Sequence, residues 1–162
     1  MGNITFTGSV SLDSGSVNSA TMVTAWHGLG AGGLPQVQDA DGSFASFVTP
    51  GDATTFHAPW SFNSGAVPSF WSVDGFTFDL ISSSITQQAN GTLDVVGSGT
   101  VSHSGFTPTP GTFNFSTQDP SASSHFSFSA ASAVPESSTL SLIAVGGVFL
   151  AAGGALLRVR RA

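Results

Sequence analysis

Apolar and polar residues alternate with a period of two in several separate stretches of this chain. ITFTGSVSL puts Ile4, Phe6, Val10 and Leu12 on one face of an extended segment and Thr5, Thr7, Ser9 and Ser11 on the other. FWSVDGFTFDL continues the pattern with Trp71 and Val73, then Phe76, Phe78 and Leu80, with Asp74-Gly75 as a turn or bulge between the halves. TFNFS and HFSFS carry it through Phe113 and Phe115, and through Phe126 and Phe128. TLDVVGSGTVS, around Val95 and Val101, reads as a strand pair or a kinked strand. Successive side chains of a strand point to opposite faces, so a half-buried strand shows this alternation.

Turn-forming clusters separate the alternating stretches: Asp13-Ser14-Gly15, Asp39-Ala40-Asp41-Gly42, Pro50-Gly51-Asp52, Asn63-Ser64-Gly65, Asn90-Gly91 and Pro108-Thr109-Pro110-Gly111. Asn90-Gly91 suits a two-residue hairpin, and the Gly-rich HGLGAGGLP, His27 to Pro35, reads as a loop. No window before residue 134 carries a capped helical stripe. The pattern predicts a mainly β fold: about eight to ten short strands in a single β-sandwich or jelly-roll-like domain over residues 1–129.

The alternation stops near Phe128, and residues 130–138 read as a flexible Ser/Ala linker. Thr139 to Leu157 then runs for 19 residues without a charge. As a helix it would span roughly 28 Å, close to the ~30 Å hydrocarbon core of a bilayer. The three cations of the whole chain, Arg158, Arg160 and Arg161, follow at once. Guanidinium groups are costly in lipid and stay at the cytoplasmic interface, where they stop translocation. The expectation is a single C-terminal transmembrane helix over 139–157, a basic cytoplasmic tail over 158–162, and the body outside. A helix buried in the core would explain the length poorly and the terminal Arg not at all.

Pro135-Glu136, a short polar spacer, an apolar Gly-rich run and a terminal Arg cluster together resemble the PEP-CTERM sorting tail. Pro135 and Glu136 match the first two motif residues, and Ser137 stands where the family usually has Pro. The resemblance covers Val134 to Ala162. It implies a bacterial protein that is exported, held in the inner membrane as a single-pass intermediate, processed by an exosortase-type enzyme and passed to the cell surface or outside. It implies extracellular polysaccharide as a candidate partner. The family also begins with a secretory signal peptide, whereas MGNITFTGSV has no basic start and no apolar run and reads as a strand. The expectation is a leader encoded upstream.

Charge sharpens the picture of the body. Only 7% of the chain is charged, against roughly 25% in an average domain. Residues 1–134 hold eight Asp and no Lys or Arg, a formal charge of −8. Such a body repels nucleic acid, so nucleic-acid binding is set aside. There is no Cys, which excludes disulfides, thiol nucleophiles and cysteine zinc sites. With 13 of the 14 Phe and all three Trp before residue 134, the body has rings enough for one core.

Candidate chemistry is thin. Asp39-Ala40-Asp41-Gly42-Ser43 resembles the front of a calcium loop, but the twelfth position, where an EF-hand needs Glu, is Pro50. An Asp-rich turn is the better reading, so no metal is expected, nor any other cofactor. His27, His57, His103 and His125 lie at least 22 residues apart and form no local pair. No Gly-x-Ser-x-Gly elbow singles out a serine, and Gly97-Ser98-Gly99 is the nearest approach. A hydrolase would need two Asp, or a His and an Asp, converging in one cleft. Trp26, Trp60 and Trp71 could form a sugar-stacking platform, against the plainer reading that they fill the core. The sequence therefore points to a non-enzymatic exported surface or matrix protein. A carbohydrate-binding module on a β-sandwich is the alternative.

Overall fold

The computed structural model describes residues 2–29, 33–118 and 124–132; along 124–132 it gives the backbone and, of the side chains, Ala130. Pro135, Glu136, the segment 139–157 and Arg158, Arg160 and Arg161 lie outside the described residues.

Every described regular element is a β-strand. In chain order they are β1 (Gly2–Leu12), β2 (Met22–His27), β3 (Gln36–Ala40), β4 (Thr55–Phe56), β5 (Trp60–Ser61), β6 (Val67–Val73), β7 (Phe76–Ala89), β8 (Thr92–Ser102), β9 (Thr109–Gln118) and β10 (Ser124–Ser132). All their pairings are antiparallel. Hydrogen bonding runs continuously in the order β4-β6-β7-β8-β9-β10-β1-β2-β5, with β3 also on β1. From β6 to β10 consecutive strands are neighbours, an up-and-down meander rather than the Greek-key exchange of a jelly roll.

The run folds over on itself, so that two antiparallel layers face each other across one core. Phe6 on β1 meets Trp71 on β6 at 5.2 Å and Phe56 on β4 at 5.4 Å, although β7 to β10 stand between β1 and β6 in the strand order. Trp26 on β2 stacks on Phe56 at 4.4 Å. Trp60 on β5 packs against Phe70 on β6 and Phe115 on β9. The result is sandwich-like, with a core built almost wholly of aromatic rings and Val, Leu and Ile.

Two hairpins carry the turn chemistry expected of them. Asp74 and Gly75 join β6 to β7, and Asn90 and Gly91 join β7 to β8, all four at positive φ, as a I′ turn requires at both central positions. The long β7–β8 hairpin is tied down at its tip. Gln88 Nε2 donates to the carbonyls of Val17 and Ala20, both at 2.7 Å, and Gly91 N donates to Asn18 Oδ1. Val17 and Ala20 are themselves buried, so the β1–β2 connection closes that end of the core.

Two sequence boundaries need correction. Residues 130–132, expected in the linker, are the last residues of β10. Ala130 is buried opposite Ile4 on β1 and Phe113 on β9; a small residue between two large ones ends the visible alternation without ending the strand. The Pro108 to Gly111 cluster, expected as a turn, starts β9 at Thr109. Pro110 pairs with Thr100, while the β10 pairing begins only at Gly111. Its missing N–H therefore falls at the strand start, where proline is tolerated.

Gly97 and Gly99 of β8 lie on its core-facing side, in step with buried Leu93, Val95 and Val101. Neighbouring rings occupy the space that side chains would fill. A Cβ at Gly97 would collide with the Phe113 ring and Ser82 O, and one at Gly99 with the Phe78 ring and Asp79 O. Two bare positions thus let two rings lie flat against the sheet.

Candidate functional site

The three tryptophans belong to the core. Trp26 is 9%, Trp60 1% and Trp71 0% exposed. Their ring faces are covered: Trp26 stacks with Phe56 and Trp60, and Trp71 stacks with Phe78 at 5.6 Å. The sugar-stacking platform on Trp26, Trp60 and Trp71 therefore does not form, because no ring presents a face to solvent. Trp26 Nε1 donates to His57 O at 2.9 Å. Trp60 Nε1 and Trp71 Nε1 are buried without a partner among the described residues, which costs about 1–3 kcal/mol each. Burying roughly 200 Å² of ring at ~25 cal/mol per Å² is worth about 5 kcal/mol, so packing wins.

The aspartates serve mainly as backbone anchors. Asp13 accepts from Thr21 N at 2.8 Å, Thr21 Oγ1 at 2.5 Å and Met22 N at 3.2 Å. Burial opposes its ionisation, but these hydrogen bonds outweigh it and hold the carboxyl below the ordinary carboxylate value. Asp41, from the loop that resembled a calcium site, accepts from Asn3 N at 2.6 Å and fixes the start of β1. Asp79 accepts from Ser69 N at 2.7 Å and so steadies a serine at φ 50° in the β6 bulge. No group of three metal-ligating side chains occurs among the described residues.

The histidines are scattered. His27 Nε2 pairs with Ser11 Oγ at 2.9 Å, while the exposed His57 uses its backbone N–H on Phe70 O. His103 donates from Nδ1 to Ser104 O at 3.0 Å. The side chain of His125 lies outside the described residues. Gly97-Ser98-Gly99 is straight strand, with Ser98 exposed, not the sharp strand-to-helix turn of a nucleophile elbow.

The fold does bring two carboxylates together at one end. Asp52, in the loop before β4, accepts from Thr49 N at 2.6 Å and Thr49 Oγ1 at 3.0 Å. These bonds hold Asp52 below the ordinary value. Hydrogen bonding with Asp52, then some desolvation and the Asp52 charge, push the exposed Asp74 above it. Beside the pair, His103 packs with Phe76 at 4.4 Å, Phe47 at 4.9 Å and Phe106 at 5.3 Å, and Phe47 is 45% exposed.

A concavity lies elsewhere, on the outer face of β7, β8 and β9. It is a groove of about 610 Å³. Strand register aligns its lining in two rungs: Ser82, Ser98 and Thr112, then Ser84, Val96 and Asn114. All six are exposed. Asp79 and Asp94 stand beyond the two ends, paired with Thr100 and Ser116 on the adjoining strands. This groove was invisible in the sequence. Its residues belong to three strands, and only their register makes them neighbours. The one trace of it was the run of Ser and Thr on the polar faces.

No family model, no curated protein and no solved structure matches this chain.

Proposed function

We propose that the chain is an exported bacterial envelope or matrix protein whose body has a non-enzymatic role and whose C-terminal segment sorts it. In this reading the sandwich body stands outside the inner membrane, residues 139–157 cross it as a helix, and Arg158, Arg160 and Arg161 hold the cytoplasmic side. An exosortase-type enzyme then cuts near Pro135-Glu136. The body passes to the cell surface or is released, where extracellular polysaccharide is its partner. No cofactor takes part.

The observation that carries this reading is the partition of charge. The body has no Lys or Arg, and all three cations follow an uncharged run long enough to span a bilayer. The hydroxyl-covered outer strand faces agree with it. They suit a surface kept soluble by neutral hydrogen-bonding groups. The Trp platform gives no support to the alternative of a carbohydrate-binding module built on stacking, because its rings are buried.

The test is a transfer experiment. Ala133–Ala162 appended to an exported reporter in an exosortase host should give membrane retention followed by cleavage near Pro135. Glu136→Ala should block the cut but not the insertion, and neutral residues at all three Arg positions should release or invert the anchor. A fusion that stays soluble and uncut refutes the proposal.

A further inference from the structure

We propose that the groove across β7, β8 and β9 binds a neutral polysaccharide, with its two rungs of hydroxyl and amide groups hydrogen-bonding the hydroxyls of successive sugar residues. The proposal names the ligand class of the partner invoked above and rests on the exported reading for its biological setting, though not for its chemistry.

Three features of the groove select this ligand. First, its polar groups are unengaged among the described residues. The side chains of Ser82, Ser84, Ser98, Thr112 and Asn114 make no hydrogen bond to another described residue. Many hydroxyls elsewhere are committed: Thr55 to Ser72, Ser64 to Ser83, Thr24 to Ser11 O, and Thr86 to Asp94 O. Second, the lining both donates and accepts, since each hydroxyl and the Asn114 amide does both. A polyol offers the same dual pattern along its length. Third, the groove itself carries no charge, and Asp79 and Asp94 flank it in a body without Lys or Arg. Anionic polymers are repelled, while uncharged ones meet no penalty.

Size and shape agree. About 610 Å³ lies within the ~300–1,000 Å³ typical of ligand sites. The groove is open, so a chain can run through it. Its lining mixes hydroxyl and amide groups with apolar surface, the exposed Val96 included, and a sugar likewise offers both hydroxyls and C–H faces. Strands lie ~4.8 Å apart, and successive same-face residues ~6.7 Å apart along a strand. The rungs therefore present hydrogen-bonding groups every few ångströms in two directions. Phe113 borders the groove but is only 3% exposed and offers no open ring face, so binding is weak for each sugar and depends on polymer length.

The experiment is affinity electrophoresis of the full chain in mild detergent, through native gels containing dextran, hydroxyethylcellulose, glucomannan or galactomannan, with alginate as the anionic comparison. Retardation by at least one neutral polymer and none by alginate is expected. Ser98→Ala combined with Asn114→Ala should weaken retardation roughly three- to tenfold for each hydrogen bond lost. Thr7→Ala, on the polar face of β1, should leave it unchanged. Circular dichroism and the melting temperature confirm that each variant is folded. The proposal is overturned if no neutral polymer retards the protein, if alginate alone does, or if the groove variant migrates like wild type. A protein that passes the sorting test above but shows no retardation would leave the exported reading standing and remove this one.

Discussion

Asp74 shows how a single side chain in this body can work against its own fold. It occupies a turn position at φ 43° and neighbours Asp52, whose hydrogen bonding and charge keep its carboxyl protonated to higher pH than usual. The folded state therefore holds this proton more tightly than the unfolded chain. The stability it contributes is present below the ordinary carboxylate value and lost as pH rises through the raised one. Asp13 and Asp52 behave oppositely. Their lowered values give stability above the ordinary carboxylate value that is lost as pH falls through the folded ones. Asp74→Asn keeps a hydrogen-bond donor facing Asp52 at every pH and tolerates positive φ. Melting curves from pH 3 to 7 should show the variant level with wild type near pH 3 and above it at pH 7. A variant less stable than wild type at pH 7 would contradict the raised value of Asp74.

At the scale of the strand, the decisive feature of β8 is what it lacks. Gly97 and Gly99 leave two places empty on its core face, and Phe113 and Phe78 fill them. Gly97→Ala should destabilise the protein by about 1–3 kcal/mol through overpacking, measured by chemical denaturation. Phe113→Leu in the same background should recover part of that loss, because the two changes share one space. Purely additive costs would show that the ring does not rest on the glycine. The same scale explains what the sequence pattern reached and what it missed. The alternating stretches of β1, β6, the first part of β7, β9 and β10 and both hairpin turns were readable from period and turn chemistry, whereas TLDVVGSGTVS, open between a strand pair and a kinked strand, is the single strand β8. β2 was not. Ser11 pairs with Ala25 and Leu12 with Val23, leaving Thr24 as an extra residue, so its buried positions, Val23 and Trp26, fall three apart. β3 hides in the same way, with Gln38 bulged between Val37 and Asp39. β4 and β5 are two residues each, too short to show a period.

At the scale of the molecule, folding the sheet over itself turns a necklace of Phe and Trp into one interior. Ring contacts link β1, β2 and β5 to β4, β6 and β9, and so tie the two layers together. Tryptophan fluorescence reads this directly. Emission should be blue-shifted relative to free tryptophan and resistant to acrylamide quenching, and both properties should vanish in one denaturant transition. An easily quenched fraction in the native state would mean that one ring stands outside the core. By itself the sequence determined the strand class, the hairpin turns, the all-acidic charge of the body and the segregation of every Arg behind an apolar run, since these depend on composition and local period. The tertiary structure alone decided that the three tryptophans are interior, that Asp52 meets Asp74, and that hydroxyls from three strands line one groove. Each of those facts depends on strand register and on how the sheet folds over, which bring together residues whose spacing along the chain carries no mark of the encounter.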